Sequence, residues 1–183
     1  DDAALIDFLG RLANAGLEGW QLEQIYPPIN SASDANLRLS AAQELLSGTT
    51  VDFLMEQRFK IIVIEAMLEL EQYPDAYEQA KLFRQAYPKV GNGYRLVALT
   101  AAKMERPVEA DRAWRAITDR ADPRRDIWWE GMLSRAHIRA ESTRPKSACE
   151  VLSELESRSE FMPTEIGPKL EALRGTLPCT GDQ

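Results

Sequence analysis

Histidine is almost missing from this chain: His137 is the single one in 183 residues. Hydrolases and lyases that work through an imidazole base, and zinc sites built on several histidines, are left without their parts. No HExxH, GxSxG or Walker loop occurs, and the two cysteines, Cys149 and Cys179, stand in no CxxC pair. The expectation is a non-enzyme with no catalytic residues, no metal and no cofactor. Basic residues are the minority charge: 22 Lys and Arg against 29 Asp and Glu leave a net charge of −7 and a pI near 4.9. A phosphate backbone calls for a net basic surface, so nucleic acid is not the expected partner. Long apolar runs are missing too. The longest, Ile61 to Ile64, is far short of the ~20 residues that cross a bilayer, and no transmembrane segment is expected.

What is present describes a folding chain. Hydrophobic residues make up 44% and charged residues 28%, far from the composition of chains that stay disordered. The length fits a single domain, which typically spans roughly 100–200 residues. Cys149 and Cys179 allow one disulfide, closing a loop around the C-terminal segment in an oxidising compartment; a buried helical thiol and a free one in a tail is the other arrangement. The chain opens Asp1-Asp2-Ala3, without methionine or an apolar leader, which fits a mature exported protein and a trimmed chain alike. A periplasmic or otherwise exported protein is expected, with a cytoplasmic one as the alternative.

Helix formers dominate, and no strand alternation stands out, so the fold class is all-α. Leu5, Phe8, Leu9 and Leu12 form a helix-period stripe ended by Asn14-Ala15-Gly16, and a short helix follows over 17–26. Pro27-Pro28-Ile29-Asn30-Ser31 reads as a loop. Ser33 or Asp34 caps a helix carrying Leu37, Leu39, Ala42, Leu45 and Leu46, and Thr49 or Thr50 caps the next. From Val51 to about Gln72 the pattern predicts one long helix with a wide apolar face: Phe53, Leu54, Phe59, Ile62, Val63, Ala66, Met67 and Leu70. Pro163 opens a last helix over 163–177, with Leu170, Ala172 and Leu173 inward and Glu165, Lys169, Glu171 and Arg174 facing water.

A period runs through the middle of the chain. Proline stands in the first turn of helices opening at Pro74, Pro107 and Pro145. Ala76 recurs as Ala110, 34 positions on, and then as Ala148, 38 further. Larger apolar residues follow each at the fourth and seventh positions: Ala80 and Phe83, Trp114 and Ile117, Leu152 and Leu155. Tyr94 and Trp128, also 34 apart, open the partner helices. Helix pairs of this kind need about three stacked units and atypical ends to cover their apolar surface. The organisation read from this is one helical-repeat domain, 1–183: N-terminal capping helices over 1–48, about three pairs over 51–160 and a C-terminal capping helix over 163–177.

The chain resembles tetratricopeptide-repeat proteins over about residues 55–160. The best unit is Gly91 to Arg124, with Tyr94, Leu96, Val97, Ala98, Ala101, Ala110, Trp114, Ile117 and Pro123; the unit before it ends on Ala76, Ala80, Phe83 and Pro88. Lys60 replaces the aromatic residue, and Ile64 the small one, in the first helix of that earlier unit. The resemblance implies a right-handed superhelix of stacked antiparallel helix pairs whose concave face binds a peptide or a partner helix. It implies partner-binding residues Arg58, Ile61, Glu65 and Leu68 from the first pair, Asn92, Arg95, Leu99 and Lys103 from the second, and Asp126, Trp129, Leu133 and His137 from the third. The clamp for a terminal carboxylate is unmatched, because Ile61 and Glu65 stand where a cation and an amide belong.

Gly91-Asn92-Gly93 reads as a turn between pairs rather than a phosphate loop, since no loop lysine follows. His137 reads as a polar groove residue or a packed one. Trp128 and Trp129 point about 100° apart on one helix, so if one fills the helix crossing the other approaches the surface as a binding anchor; burial of both is the alternative. The expected function is a non-catalytic interaction or scaffold module, set in a bacterial cell envelope. Its alternative is a helical accessory domain that positions a catalytic partner or holds a small ligand.

Overall fold

A computed structural model describes residues 11, 17, 19–48, 51–142, 145–177 and 179. Among them are nine α-helices and no strand: α1 (Gly19–Ser31), α2 (Ala35–Gly48), α3 (Phe53–Glu69), α4 (Tyr73–Ala86), α5 (Gly91–Lys103), α6 (Pro107–Thr118), α7 (Asp126–Glu141), α8 (Pro145–Ser157) and α9 (Ile166–Thr176), with a 3-10 turn at Ser159–Phe161. Apart from Arg11, the expected helix over 3–15 lies outside the described residues, as do the caps Thr49 and Thr50. No described helix is long and apolar enough to cross a membrane.

The chain divides into two compact units, Asp1–Pro88 and Lys89–Gln183. The border falls at Pro88, the proline expected to close a helix pair. Acidic residues outnumber basic ones by more than two to one in the first unit, whereas in the second the basic residues slightly outnumber the acidic. From α1 to α4 and from α5 to α8, helices consecutive in sequence pack against each other; in addition α1 packs on α3, and α9 on α7.

In the first unit, Asp34 caps α2: its Oδ1 accepts from Asn36 N at 2.8 Å and Leu37 N at 3.4 Å. Asp52 caps α3, accepting from Leu54 N and Met55 N, both at 2.9 Å. Helix α3 therefore starts at Phe53, two residues after the expected Val51, and ends at Glu69. Its inward residues are Met55, Phe59, Ile62 and Val63, which meet Leu22 and Ile29 of α1 and Ala41, Ala42 and Leu45 of α2. Phe53 and Leu54, expected on that face, are exposed. The expected loop at Pro27–Ser31 is the C-terminal half of α1. Two prolines cost that helix two backbone bonds. Burial of Leu22 and Ile29, two turns apart on one face, holds it to helical geometry nonetheless.

The residues that recur in the sequence are buried at each occurrence. Ala76, Ala110 and Ala148 are buried without remainder, and so are Ala80, Phe83, Trp114, Ile117, Leu152 and Leu155 to within a few per cent. The turns before the first two of these helices, α4 and α6, match bond for bond. Glu71 and Glu105 have φ of 59° and 55°, the two positive values outside glycine among the described residues. Around the first turn, Leu70 N donates to Ala66 O, Glu71 N to Leu68 O and Gln72 N to Met67 O; around the second, Met104 N donates to Thr100 O, Glu105 N to Ala102 O and Arg106 N to Ala101 O. Both are left-handed helix stops, and every donor and acceptor is displaced by 34 positions. Tyr73 and Pro107 then open α4 and α6, again 34 apart.

The core of the second unit joins Trp128, Trp129, Met132 and Ala136 of α7 to Val151, Leu152 and Leu155 of α8 and to Ile166, Leu170 and Leu173 of α9. Helix α9 begins at Ile166 rather than Pro163, whose carbonyl accepts from Ile166 N at 3.0 Å. Its inward stripe is Ile166, Leu170 and Leu173, with Ala172 exposed. Glu165, Lys169, Glu171 and Arg174 are exposed, on the side expected to face water.

Candidate functional site

The second unit has an open apolar hollow of about 330 Å³ between α5, α7 and α9. Leu99 and Ala102 form one wall and Leu133 and Ile138 another, with an edge of Trp114 between them. Leu173 closes the third side, and Ser134, His137 and Lys169 supply its polar atoms. An adjoining hollow of about 300 Å³ shares Ala102 and Ile138 and continues to Glu105, Pro107 and Glu141. Such apolar depressions with a few polar groups are where proteins take ligands and partner side chains.

Three devices fix the walls. Arg95 Nε donates to both carboxylate oxygens of Glu130 at 3.0 Å, tying α5 to α7. Arg135, only 7% exposed, donates from Nε to Asp111 Oδ1 at 3.2 Å and from Nη1 to Thr118 Oγ1 at 2.9 Å. Arg139 reaches the same carboxylate through Nη2 at 3.1 Å, so one aspartate of α6 holds two arginines of α7 spaced one turn apart. A buried guanidinium is costly unless fully bonded, and this arrangement provides the bonds. Gly131 is the third device. A Cβ there would lie 2.8 Å from Thr118 Cγ2 and 3.2 Å from Trp114 Cε3, so the missing side chain is what lets α7 approach α6. Cys149 of α8 and Cys179 form a disulfide, with Cα atoms 5.5 Å apart, and α9 lies within the loop it closes.

Of the residues expected to bind a partner, the structure brings Leu99, Leu133 and His137 together in the hollow. His137 Nε2 lies 3.1 Å from Glu141 Oε1. Asn92, Lys103 and Asp126 are exposed elsewhere on α5 and α7, and Arg95 is engaged with Glu130. Trp129 is a correction: it is fully buried, its Nε1 donating to Pro123 O at 2.7 Å, while Trp128 is 3% exposed. The two rings meet edge to face with centroids 4.9 Å apart. Both tryptophans are core residues, in one cluster with Val151, Leu152 and Leu155 of α8 and Ile166, Leu170 and Leu173 of α9.

Arg58, Ile61, Glu65 and Leu68 lie half-buried along α3 in the first unit. The Arg58 guanidinium stands 5.3 Å from the centre of the Tyr26 ring. Burial raises the Tyr26 hydroxyl above its usual value; Arg58 opposes that shift and Glu65 adds to it. The hollow in this unit, about 520 Å³, is lined instead by Lys60, Val63, Ile64 and Met67 of α3 with neighbours from α2 and α4. At its edge Lys60 Nζ donates to Glu56 Oε1 at 2.5 Å and stands 5.5 Å from the Tyr87 ring centre. The bond from Lys60 holds the Glu56 carboxyl below its usual range against an opposing effect of burial, and a Tyr87 hydrogen bond adds to it. Burial pulls the Lys60 ammonium down, but the Glu56 bond and Tyr87 outweigh it and the net shift is upward. Burial, followed by the bond to Glu56, raises the Tyr87 hydroxyl.

Sequence reasoning missed Lys169, Ile138 and Ser134 as wall residues and Asp111 with its two arginines. The i, i+4 spacing of Arg135 and Arg139 on one helix was the available signal. Among the described residues no cluster of histidine, cysteine or carboxylate side chains could hold a metal ion. No family model matches the chain, and no curated protein or solved structure matches it.

Proposed function

We propose that this chain is a non-catalytic interaction module, tetratricopeptide-like, whose helix pairs stack as a right-handed superhelix and whose second unit holds a peptide or partner helix in the hollow between α5, α7 and α9. The observation that carries the reading is the convergence of Leu99, Leu133 and His137 on one open apolar depression. These come from the first helices of two successive pairs, as the resemblance implies. The matched turns at Glu71 and Glu105 support the repeat, since identical hydrogen bonding displaced by 34 positions is what a repeated unit would produce. The openness of the hollow favours a protein segment over a small enclosed ligand. The Cys149–Cys179 disulfide supports an oxidising, exported setting such as a bacterial cell envelope.

The test is selection of displayed peptides on the full chain, followed by titration against wild type and Leu133→Asp. A carboxylate in the apolar wall costs a bound apolar side chain most of its burial, worth about 1.5–3 kcal/mol. Binding is expected to weaken at least tenfold, with the circular dichroism of the variant unchanged. Binders that ignore Leu133→Asp would remove the site.

A further inference from the structure

The two adjoining hollows of the second unit differ in charge. Lys169 belongs to the first alone; Glu105 and Glu141 belong to the second alone. The side chains of Lys169 and Glu105 are exposed and make no hydrogen bond or ion pair with any described residue, whereas the Glu141 carboxylate is shared with His137. Between them the shared walls, Ala102 and Ile138, are apolar. The axis follows α5 from Leu99 to Glu105 and α7 from Leu133 to Glu141, six and eight positions, or about 9–12 Å at the helical rise. That length accommodates about two turns of a helix or three to four extended residues.

We propose that this depression selects the polarity of its partner. The occupant is a protein segment with apolar side chains at its centre, a carboxylate at the Lys169 end and a cationic side chain at the Glu105 end. The inference rests on the reading of the hollow as a peptide site and adds a direction to it. Apolar contact with Leu99, Leu133 and Leu173 would supply affinity, and the two open charges would set register, since a reversed segment places like charges together.

The experiment uses synthetic versions of peptides selected on the full chain, about twelve residues long, acetylated and amidated so that no terminal charge competes. Titration by fluorescence anisotropy is run on wild type, Lys169→Met, Glu105→Gln and Leu133→Asp. The selected peptides are expected to carry an acidic and a basic residue on opposite sides of an apolar pair. Changing the acidic residue to its amide should weaken binding to wild type about threefold to fivefold, as for a rim ion pair, and leave binding to Lys169→Met unchanged. Neutralising the basic residue should behave the same way with Glu105→Gln. Peptides that depend on Leu133 but show no charge preference, or that lose as much in Lys169→Met as in wild type, overturn the polarity rule alone. Binders indifferent to Leu133→Asp overturn the peptide site itself.

Discussion

Gly131 and Trp129 illustrate how a single position is decided by its neighbours. Alanine at an ordinary helical site is favoured over glycine by about 1 kcal/mol, so Gly131 in the middle of α7 looks like a defect. Its Cβ would meet Thr118 Cγ2 at 2.8 Å and the Trp114 ring at 3.2 Å. Thr118 is buried and its hydroxyl accepts from Arg135, so it is not free to give way. Overpacking of this kind costs about 1–3 kcal/mol and outweighs the gain in propensity. Gly131→Ala is therefore expected to lower the urea midpoint of unfolding, and an unchanged or raised midpoint would mean that α6 and α7 can separate without loss. The sequence held the glycine but not its reason, because a close approach is a property of two helices. Trp129 failed for the same cause. Adjacent tryptophans point in different directions, but both directions are buried when α8 and α9 pack on α7.

Elements were more legible than residues wherever a local signal fixed them. Proline in the first turn announced α4, α6 and α8, and Asp34 announced α2. The errors arose where tertiary burial overrode a local rule. Pro27-Pro28 reads as a break, but Ile29 is buried and α1 continues to Ser31. The two left-handed turns were unread because glutamate is a poor candidate for that conformation, which costs a side-chain-bearing residue about 1–2 kcal/mol. It also sets a negative charge at a helix C-terminus, where the macrodipole disfavours it. Glycine relieves both effects, less the entropy of a freer unfolded chain, about 0.4–1 kcal/mol. Glu71→Gly and Glu105→Gly are each expected to stabilise the protein by about 0.5–1 kcal/mol, measured by chemical denaturation, and to match within about 0.5 kcal/mol. Unequal increments would mean that the displacement by 34 positions reproduces the turn but not its surroundings.

At the scale of the whole molecule, composition foretold an acidic, all-helical chain, while the concentration of its acidic excess in residues 1–88 emerged only with the division into units. That unit contains the cluster in which pH should act on stability. Glu56 is held below its usual range chiefly by Lys60, so its contribution is complete above about pH 4.3, the ordinary glutamate value, and is lost as pH falls through the lowered one. Tyr87 moves the other way. Burial disfavours its phenolate, so its contribution is complete below about pH 10 and is lost as pH rises through the raised value. Lys60, raised on balance by the same partners, loses its share in the same alkaline direction. Thermal melts across pH 3–11 with wild type, Glu56→Gln and Tyr87→Phe separate the two limbs, a range set by the ordinary glutamate and tyrosine values of about 4.3 and 10. Glu56→Gln is expected to melt lower at neutral pH and to converge on wild type in acid, where the carboxylate it lacks is protonated anyway. Tyr87→Phe should flatten the alkaline fall while leaving part of the lysine contribution. Parallel curves for Glu56→Gln and wild type down to the acid end would place the acid sensitivity among the other carboxylates of the first unit.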